Sequence, residues 1–155
     1  MADVHLNPGD YHFGGADTRI HTVLGSCVSI TLWHAGLRIG GMCHYLLPGP
    51  CPGDEPLNAR YADGAVRRFV RDVRRSRTSP PQYEVKMFGG GRQFPHLSVP
   101  AALDVAQQNI AAGITLMEEE NFTISVRELG GTGARRLIFD LATGTVWLRA
   151  AAATA

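Results

Sequence analysis

Apolar and polar residues alternate through much of the first third of the chain, which is typical of β-strands with one buried face. Three segments show this pattern: residues 19–24, 28–33 and 38–46. Gly25-Ser26 breaks the first from the second, and His34 to Leu37 form a turn before the third. The first fifteen residues are polar and rich in turn formers, so we expect them to join the fold irregularly.

Apolar residues then recur at helical spacing in residues 58–75 and again in residues 104–120, where Gly113 weakens the pattern. Four further segments have the apolar or alternating composition of strands: residues 83–88, 122–128, 135–140 and 145–149. Six or more strands and two main helices predict an α+β fold, a layered sandwich of mixed or antiparallel strands. With 155 residues and 45% apolar content, we expect residues 1–155 to form a single domain with a frayed, Ala-rich tail.

The hairpin formed by the second and third strands determines which side chains meet. A turn centred between Ala35 and Gly36 makes the numbers of opposed residues sum to 71, which places Cys27 opposite His44 on one face. Opposed side chains on one face are close enough for a sulfur-to-nitrogen hydrogen bond. The other face carries Val28 and Cys43 and is the predicted core side, so Cys43 is expected to be a small buried residue. A β-bulge would separate the pair.

A cysteine beside a histidine is a candidate nucleophile with its base. The break at Gly25 and Ser26 adds backbone N–H groups that can stabilise a thiolate or an oxyanion. Considered singly, Cys27 is better explained as an ordinary buried cysteine and His44 as a core histidine. Their predicted pairing next to a glycine break favours a catalytic dyad.

Two other constellations are weaker. Four residues could be proposed as zinc ligands, but their spacing differs from structural zinc sites, and adjacent strand residues point to opposite faces. These residues are Cys27, Cys43, His44 and Cys51. Gly89-Gly90-Gly91 follows a strand without the spacing of a phosphate-binding loop, so we favour a tight turn with close backbone approach.

The distribution of charge along the chain has one local feature, a group of basic residues in the first predicted helix. The net charge of +1 shows no general preference for nucleic acid or acidic membranes. Seven of the fifteen basic residues nevertheless lie between Arg60 and Arg77. We favour a solvated helix face over a nucleic-acid site because no aromatic residues are interleaved for base stacking. An acidic protein surface is the alternative partner.

The sequence also predicts where the protein acts. No apolar run approaches the roughly 20 residues that span a bilayer, and the first ten residues lack the pattern of a signal peptide. Three cysteines in such a chain argue for reduced thiols. We expect a cytoplasmic protein without membrane insertion.

Several motifs in one order resemble a known family. The runs HTVLGSCV (residues 21–28) and GGMCHYLLP (residues 40–48) are similar to the signature of the CheD family of chemoreceptor glutamine deamidases. Further pieces in the family's order are RYAD (60–63), KMFGGG (86–91), QNI (108–110) and ELGGTGAR (128–135). The resemblance covers about residues 8–149.

The resemblance implies a cytoplasmic enzyme of bacterial chemotaxis with an α/β/β fold, in which Cys27 is the nucleophile and His44 the base. It would convert glutamine side chains of methyl-accepting chemotaxis receptors to glutamate, with glutamyl methyl ester hydrolysis as a lesser activity. Family members also bind the CheC phosphatase of phosphorylated CheY. The implied chemistry is acyl transfer through a thioester, with backbone amides near Gly25 and Ser26 holding the oxyanion and no cofactor or metal.

One position departs from the family. The third catalytic residue of the family is a threonine six residues before the cysteine, where this chain has His21, followed by Thr22. Either His21 takes that role by orienting His44, or Thr22 does so from a shifted strand. Two other functions stay open: an inactive or weakly active adaptor that binds receptors or a CheC-type phosphatase through the Arg67 to Arg77 face and the glycine loops, and a different thiol hydrolase.

Overall fold

Two β-sheets pack face to face, and two helices cover the far side of one of them. The computed structural model describes residues 1–92, 100 and 104–150. In these residues the elements are β1 (Ala2–His5), β2 (Tyr11–Gly14), β3 (Thr18–Leu24), β4 (Val28–His34), β5 (Ile39–Cys43), α1 (Ala62–Arg75), β6 (Glu84–Gly89), α2 (Val105–Glu119), β7 (Ile124–Leu129), β8 (Arg135–Asp140) and β9 (Val146–Ala150). A short 3-10 turn at Pro80–Gln82 precedes β6. The predicted frayed tail lies beyond the described residues.

The central sheet has strand order β2-β5-β4-β6-β7, and the outer sheet has order β1-β3-β8-β9. Most neighbours are antiparallel, while β1 with β3 and β6 with β7 are parallel. The layers are therefore helices, central sheet and outer sheet. This arrangement confirms the predicted α+β sandwich and matches the α/β/β layering that the resemblance implied.

Hydrophobic packing fills both spaces between the layers. Val28, Ile30 and Leu32 of β4 pack with the buried faces of the helices, including Phe69 and Met117. On the other side of the central sheet lie two smaller clusters; their buried members are Leu6, Ile20, Leu24, Met42, Phe88, Leu137, Phe139 and Leu141. Because both of its faces are covered, β4 is buried at five successive positions, whereas β3 alternates between buried and accessible residues.

The expectation of an irregular N-terminus is wrong. Residues 2–5 form β1 beside β3, and residues 11–14 form β2 beside β5. Both strands lie at sheet edges, and neither shows the alternation of buried and exposed residues that a sequence pattern records. They are held by backbone pairing with neighbours that are distant in sequence, so local composition alone did not indicate them.

The predicted hairpin register is wrong by two residues. His34 pairs with Ile39 and Thr31 with Met42, so opposed residue numbers sum to 73 rather than 71. The loop comprises residues 35–38, one residue later than the predicted turn at residues 34–37, because Arg38 adopts a left-handed conformation with φ of 50°, which a strand residue does not adopt. The Leu37 N–H donates to His34 Nδ1 at 3.1 Å and closes this turn. A shift of two residues keeps every side chain on its predicted face.

Helix boundaries differ slightly from the prediction. Helix α1 begins at Ala62 rather than Asn58, because Asn58 and Tyr61 form a turn in which the Tyr61 N–H donates to the Asn58 carbonyl. Gly113, which weakens the sequence pattern of α2, faces the core: a Cβ atom there would lie 2.3 Å from Tyr45 Oη. Among the described residues, neither helix combines the length and apolarity that a membrane crossing requires.

Candidate active site

Three glycine-containing loops meet at one end of the sandwich. They are residues 25–27 after β3, residues 89–92 at the end of β6 and residues 130–133 after β7. The Gly90 N–H donates to the Cys27 carbonyl at 2.9 Å, and the Gly91 N–H donates to the Gly25 carbonyl at 3.0 Å. The second and third loops are joined through the Gly130 N–H, which donates to the Gly89 carbonyl at 2.9 Å.

The tight turn predicted for the Gly89 loop is confirmed. Gly89 and Gly90 have φ values of 109° and 66°, which strongly favour glycine. A Cβ atom on Gly89 would lie 2.3 Å from the Cys27 carbonyl oxygen. These glycines let the backbone approach the cysteine loop closely enough to hydrogen-bond it.

Cys27 is half-buried in the break between β3 and β4. It packs against the inter-sheet cluster of Leu24, Phe88 and Leu137. Burial raises the pKa of the Cys27 thiol, and the residue's own backbone N–H lowers it by a smaller amount. The resting thiol is therefore protonated at neutral pH.

His44 lies one residue beyond β5 and is 2% exposed. Its backbone is bound by the loop between β1 and β2. The His44 N–H donates to the Asp10 carbonyl at 3.2 Å, and the His44 carbonyl accepts from the Gly9 N–H at 2.7 Å. Burial lowers the pKa of His44 to about 4, although Asp10 raises it slightly. The imidazole is therefore neutral at physiological pH.

Thr22 determines which imidazole nitrogen carries the proton. Its Oγ1 lies 2.9 Å from the Leu6 carbonyl oxygen and 2.7 Å from His44 Nδ1. A hydroxyl has one hydrogen, which the Leu6 carbonyl must receive because a carbonyl cannot donate. Oγ1 then accepts from Nδ1–H, so His44 Nε2 carries the lone pair. Among the described residues, this buried Nε2 has no hydrogen-bond partner.

Cys27 and His44 are diagonal neighbours. Val28 and Tyr45 form an opposed pair that exchanges both backbone hydrogen bonds, at 3.2 and 3.0 Å. Cys27 directly precedes Val28, and His44 directly precedes Tyr45. Cys27 and His44 therefore share the face of the central sheet that is directed at the outer sheet. The shared face is as predicted, but the direct opposition is not. Diagonal positions are roughly 7–8 Å apart, within reach of long side chains.

His21 lies on the opposite side of β3 from Thr22. Its Nε2 is 2.8 Å from Asp3 Oδ1, and its ring stacks on His5 with centroids 4.5 Å apart. A cleft of about 380 Å³ opens there, with His5, His21 and Thr22 in its lining. Of the two candidates for the third position, the structure brings Thr22, and not His21, into contact with His44.

Asn109 is a site residue that sequence reasoning missed. It is fully buried on α2, and its Nδ2 donates to the Leu46 carbonyl at 2.8 Å and to the Ser26 carbonyl at 3.3 Å. The available signal was its position on the buried stripe of α2, which also contains Ala106, Gly113 and Met117. A polar amide on such a stripe requires buried partners.

The other two cysteines lie apart from this site. Cys43 is fully buried in the helix-side core, as predicted, and burial raises its pKa to about 12. Cys51 Sγ lies 3.4 Å from Asp63 Oδ1, in the loop before α1. Within residues 1–92, 100 and 104–150, no three His, Cys, Asp or Glu side chains are grouped so as to hold a metal ion.

Much of the arginine-rich helix is engaged locally. Arg67 pairs with Asp63 at 3.2 Å, Arg68 donates to the Leu57 carbonyl at 2.6 Å and Arg71 pairs with Asp72 at 3.1 Å. Arg74 and Arg75 are exposed at the end of α1. The accessible positive charge is therefore concentrated at the helix C-terminus.

The fold and the site define an α+β sandwich with a buried histidine and threonine beside a cysteine loop, the features of a candidate thiol active site. The profile of the family described as CheD chemotactic sensory transduction matches residues 46–150, beginning just after His44. The chain belongs to the CheD family.

Similar proteins cover nearly the whole chain. Probable chemoreceptor glutamine deamidases CheD from Pseudomonas savastanoi pv. phaseolicola and Pseudomonas syringae pv. syringae are each 45% identical over 150 residues, which is 96% of this chain and 85% of each relative. The protein of that name from Pseudomonas fluorescens is 44% identical over 149 residues, covering 95% of this chain and 84% of its own. These alignments extend well upstream of the profile match.

Proposed function

We propose that this protein is a hydrolase that converts glutamine side chains of chemotaxis receptors to glutamate, with Cys27 as nucleophile and His44 as general base. The relatives' name, probable chemoreceptor glutamine deamidase, supports the substrate. The observation that carries the mechanism is the Thr22 contact, which leaves the lone pair of His44 on Nε2. A neutral imidazole with a free lone pair is the form that a general base requires.

Attack and proton transfer occur together in this proposal. His44 Nε2 accepts the Cys27 proton as the sulfur attacks the carboxamide carbon, because neither group is charged at rest. The tetrahedral intermediate collapses when the imidazolium gives that proton to the leaving nitrogen, which departs as ammonia. A thioester between Cys27 and the former glutamine side chain is left.

Water completes the cycle. His44 removes a proton from water as the oxygen attacks the thioester carbon, and the thiolate leaves and regains its proton from the imidazolium. The product is glutamate. A glutamyl methyl ester can form the same thioester with methanol as the leaving group, which accounts for a lesser esterase activity. Thr22 accepts from Nδ1–H throughout and stabilises the imidazolium.

The cysteine loop supplies the oxyanion donors. Among the described residues, the N–H groups of Ser26 and Cys27 have no backbone acceptor, whereas the carbonyls of both residues are hydrogen-bonded. Free N–H groups adjacent to a nucleophile are the usual donors to the negative oxygen of a tetrahedral intermediate.

The decisive experiment incubates the protein with a receptor cytoplasmic fragment and follows conversion of glutamine to glutamate by mass spectrometry. We expect conversion by the wild type and none by Cys27→Ala or His44→Ala. Cys51→Ala is the matched control, because it removes a thiol outside the site and should leave the rate unchanged. No conversion by the folded wild type would disprove the proposal.

An adaptor is the second candidate function, favoured by the exposed Arg74 and Arg75. In that case the protein would bind receptors, or a CheC-type phosphatase, through the Arg67 to Arg77 face without changing either one. Charge reversal of Arg74 and Arg75 would then abolish binding. The same reversal should leave deamidation by an enzyme largely unaffected, since these residues lie on the helix layer. The three free thiols favour action in the reducing cytoplasm.

A further inference from the structure

Asn109 connects three parts of the site from within helix α2. Its Nδ2 donates to the Ser26 carbonyl of the cysteine loop and to the Leu46 carbonyl two residues after His44. Its backbone carbonyl accepts from Tyr45 Oη at 2.6 Å. Both partners of Nδ2 are carbonyl oxygens, which accept only, so the orientation of the amide is dictated by its surroundings.

The bond to Ser26 has a geometric consequence for Cys27. The Ser26 carbonyl and the Cys27 N–H belong to one peptide group, and in a planar trans peptide they point in opposite directions. A donor that holds the carbonyl toward α2 therefore turns the N–H away from α2. That N–H lies close enough to the Cys27 sulfur to lower the pKa of the thiol.

The neighbouring peptide groups are held in the same way by backbone donors. The Gly91 N–H binds the Gly25 carbonyl, and the Gly90 N–H binds the Cys27 carbonyl. Among the described residues, the Ser26 carbonyl is the only one of these three successive carbonyls that a side chain binds. The orientation of this one peptide thus depends on the identity of residue 109.

We propose that Asn109 is a positioning residue, which aims the Cys27 N–H at the oxyanion by holding the Ser26 carbonyl. This inference rests on the proposed function and adds a role for a fully buried residue of α2. The same amide links Leu46 to the cysteine loop and so adds to the Val28–Tyr45 backbone pair, which joins the same two segments. Burial is complete, which strengthens both bonds by excluding water.

The test compares Asn109→Leu with the wild type. Leucine has a similar branched shape but no hydrogen-bond donor, so the Ser26 peptide is released. We expect kcat for deamidation to fall roughly a hundredfold, the scale of losing one oxyanion donor, with KM changed by less than about threefold. Alkylation of Cys27 by iodoacetamide needs no oxyanion donor and should stay within about threefold of the wild type. Asn109→Gln keeps the donor and should recover part of the loss.

Met117→Leu is the matched control, because it alters a buried side chain of the same helix without touching a hydrogen bond and should keep wild-type kcat. Wild-type kcat in Asn109→Leu would overturn the proposal. So would equal losses of kcat and alkylation rate, which indicate a general disturbance of the loop.

An activity-independent measurement separates this proposal from the proposed function. The carbonyl ¹³C shift of Ser26 reports its hydrogen bond directly and should move in Asn109→Ala or Asn109→Leu while that of Gly25 does not. If neither variant folds, slow exchange of the Asn109 side-chain amide protons in the wild type supports the bond, and solvent-rate exchange refutes it. A wild type that deamidates nothing would refute the enzymatic function even where these shifts move as expected.

Discussion

Thr22 lies in the outer sheet and His44 directly follows β5 of the central sheet, and their side chains meet at 2.7 Å between Thr22 Oγ1 and His44 Nδ1. Both residues are almost fully buried. The contact depends on the packing of the outer sheet against the central sheet, and it determines the imidazole tautomer through the Leu6 carbonyl. Four expected outcomes follow from the environment of this pair and its neighbours.

Replacing Thr22 by valine should impair catalysis far more than folding. Valine keeps the shape but leaves His44 Nδ1–H without an acceptor, so the ring loses the hydrogen bond that fixes its orientation. Misplacing a catalytic group by about 1 Å can cost roughly a hundredfold in rate, and we expect a loss of that order in kcat. An unsatisfied buried donor should also lower the free energy of unfolding by roughly 1–3 kcal/mol.

Two variants serve as controls for this change. Thr22→Ser keeps the hydroxyl and should retain most of the activity. His21→Ala should keep kcat close to that of the wild type, because His21 contacts Asp3 and His5 on the outward face. A large loss in His21→Ala with little loss in Thr22→Val would assign the third position to His21.

Protein stability should decrease as the pH falls from about 6.5 to about 4. Burial lowers the pKa of His44 to about 4 in the folded protein, whereas an unfolded histidine has a pKa near 6.5. Between these values the unfolded state binds more protons, so the free energy of unfolding rises with pH. The effect of His44 on the free energy of unfolding is absent above about pH 6.5. Between pH 6.5 and pH 4 the free energy of unfolding falls by roughly 3 kcal/mol, since one pKa unit corresponds to about 1.36 kcal/mol.

The measurement is urea unfolding at several pH values for the wild type and His44→Gln. Other groups titrate in both proteins, so the difference between the two curves isolates His44. That difference should change between pH 6.5 and 4 and be constant above pH 7. The activity profile should likewise show its acid limb well below pH 6.5. Parallel stability curves would contradict a depressed pKa.

The rate of Cys27 alkylation should increase with pH in proportion to the thiolate fraction, as expected for a thiol with a raised pKa. The rate with iodoacetamide should increase about tenfold per pH unit from pH 7 to 9, without a plateau near neutrality. Peptide mass spectrometry can follow Cys27, Cys43 and Cys51 in one sample. Cys43 should be the slowest, because it is fully buried with a pKa of about 12. A plateau for Cys27 below pH 7 would reveal a preformed thiolate and imidazolium pair.

Gly113→Ala should destabilise the protein, although alanine is the better helix former by about 1 kcal/mol. The added Cβ would lie 2.3 Å from Tyr45 Oη and 2.8 Å from Met87 Cε. Overpacking of this kind costs roughly 1–3 kcal/mol, measured as a lower midpoint in urea. The exposed Ala111 provides the control, since Ala111→Gly should lose only the helix propensity. An increase in stability for Gly113→Ala would show that the helix can shift away from Tyr45.

The local sequence was sufficient for the regular elements with strong periodicity. The predictions for β3, β4, β8 and the buried stripe of α1 are correct within a few residues. One or both faces of each element pack against other layers, so the residues at those positions are apolar and recur with a clear period. Edge strands β1 and β2 were missed, since their partners are remote in sequence. The hairpin register was wrong by two residues, because the left-handed conformation of Arg38 has no clear signal in an arginine.

The sequence by itself determined that Cys27 and His44 share a face. Strand side chains repeat every two residues, so this conclusion survives the two-residue error in register. Only the tertiary structure decided between His21 and Thr22, because they point to opposite sides of β3 and just one side faces the central sheet. The role of Asn109 is likewise tertiary, since its two acceptors come from chain segments more than sixty residues away. Strand periodicity is local, whereas the hydrogen bonds that orient a catalytic group depend on which layers pack together.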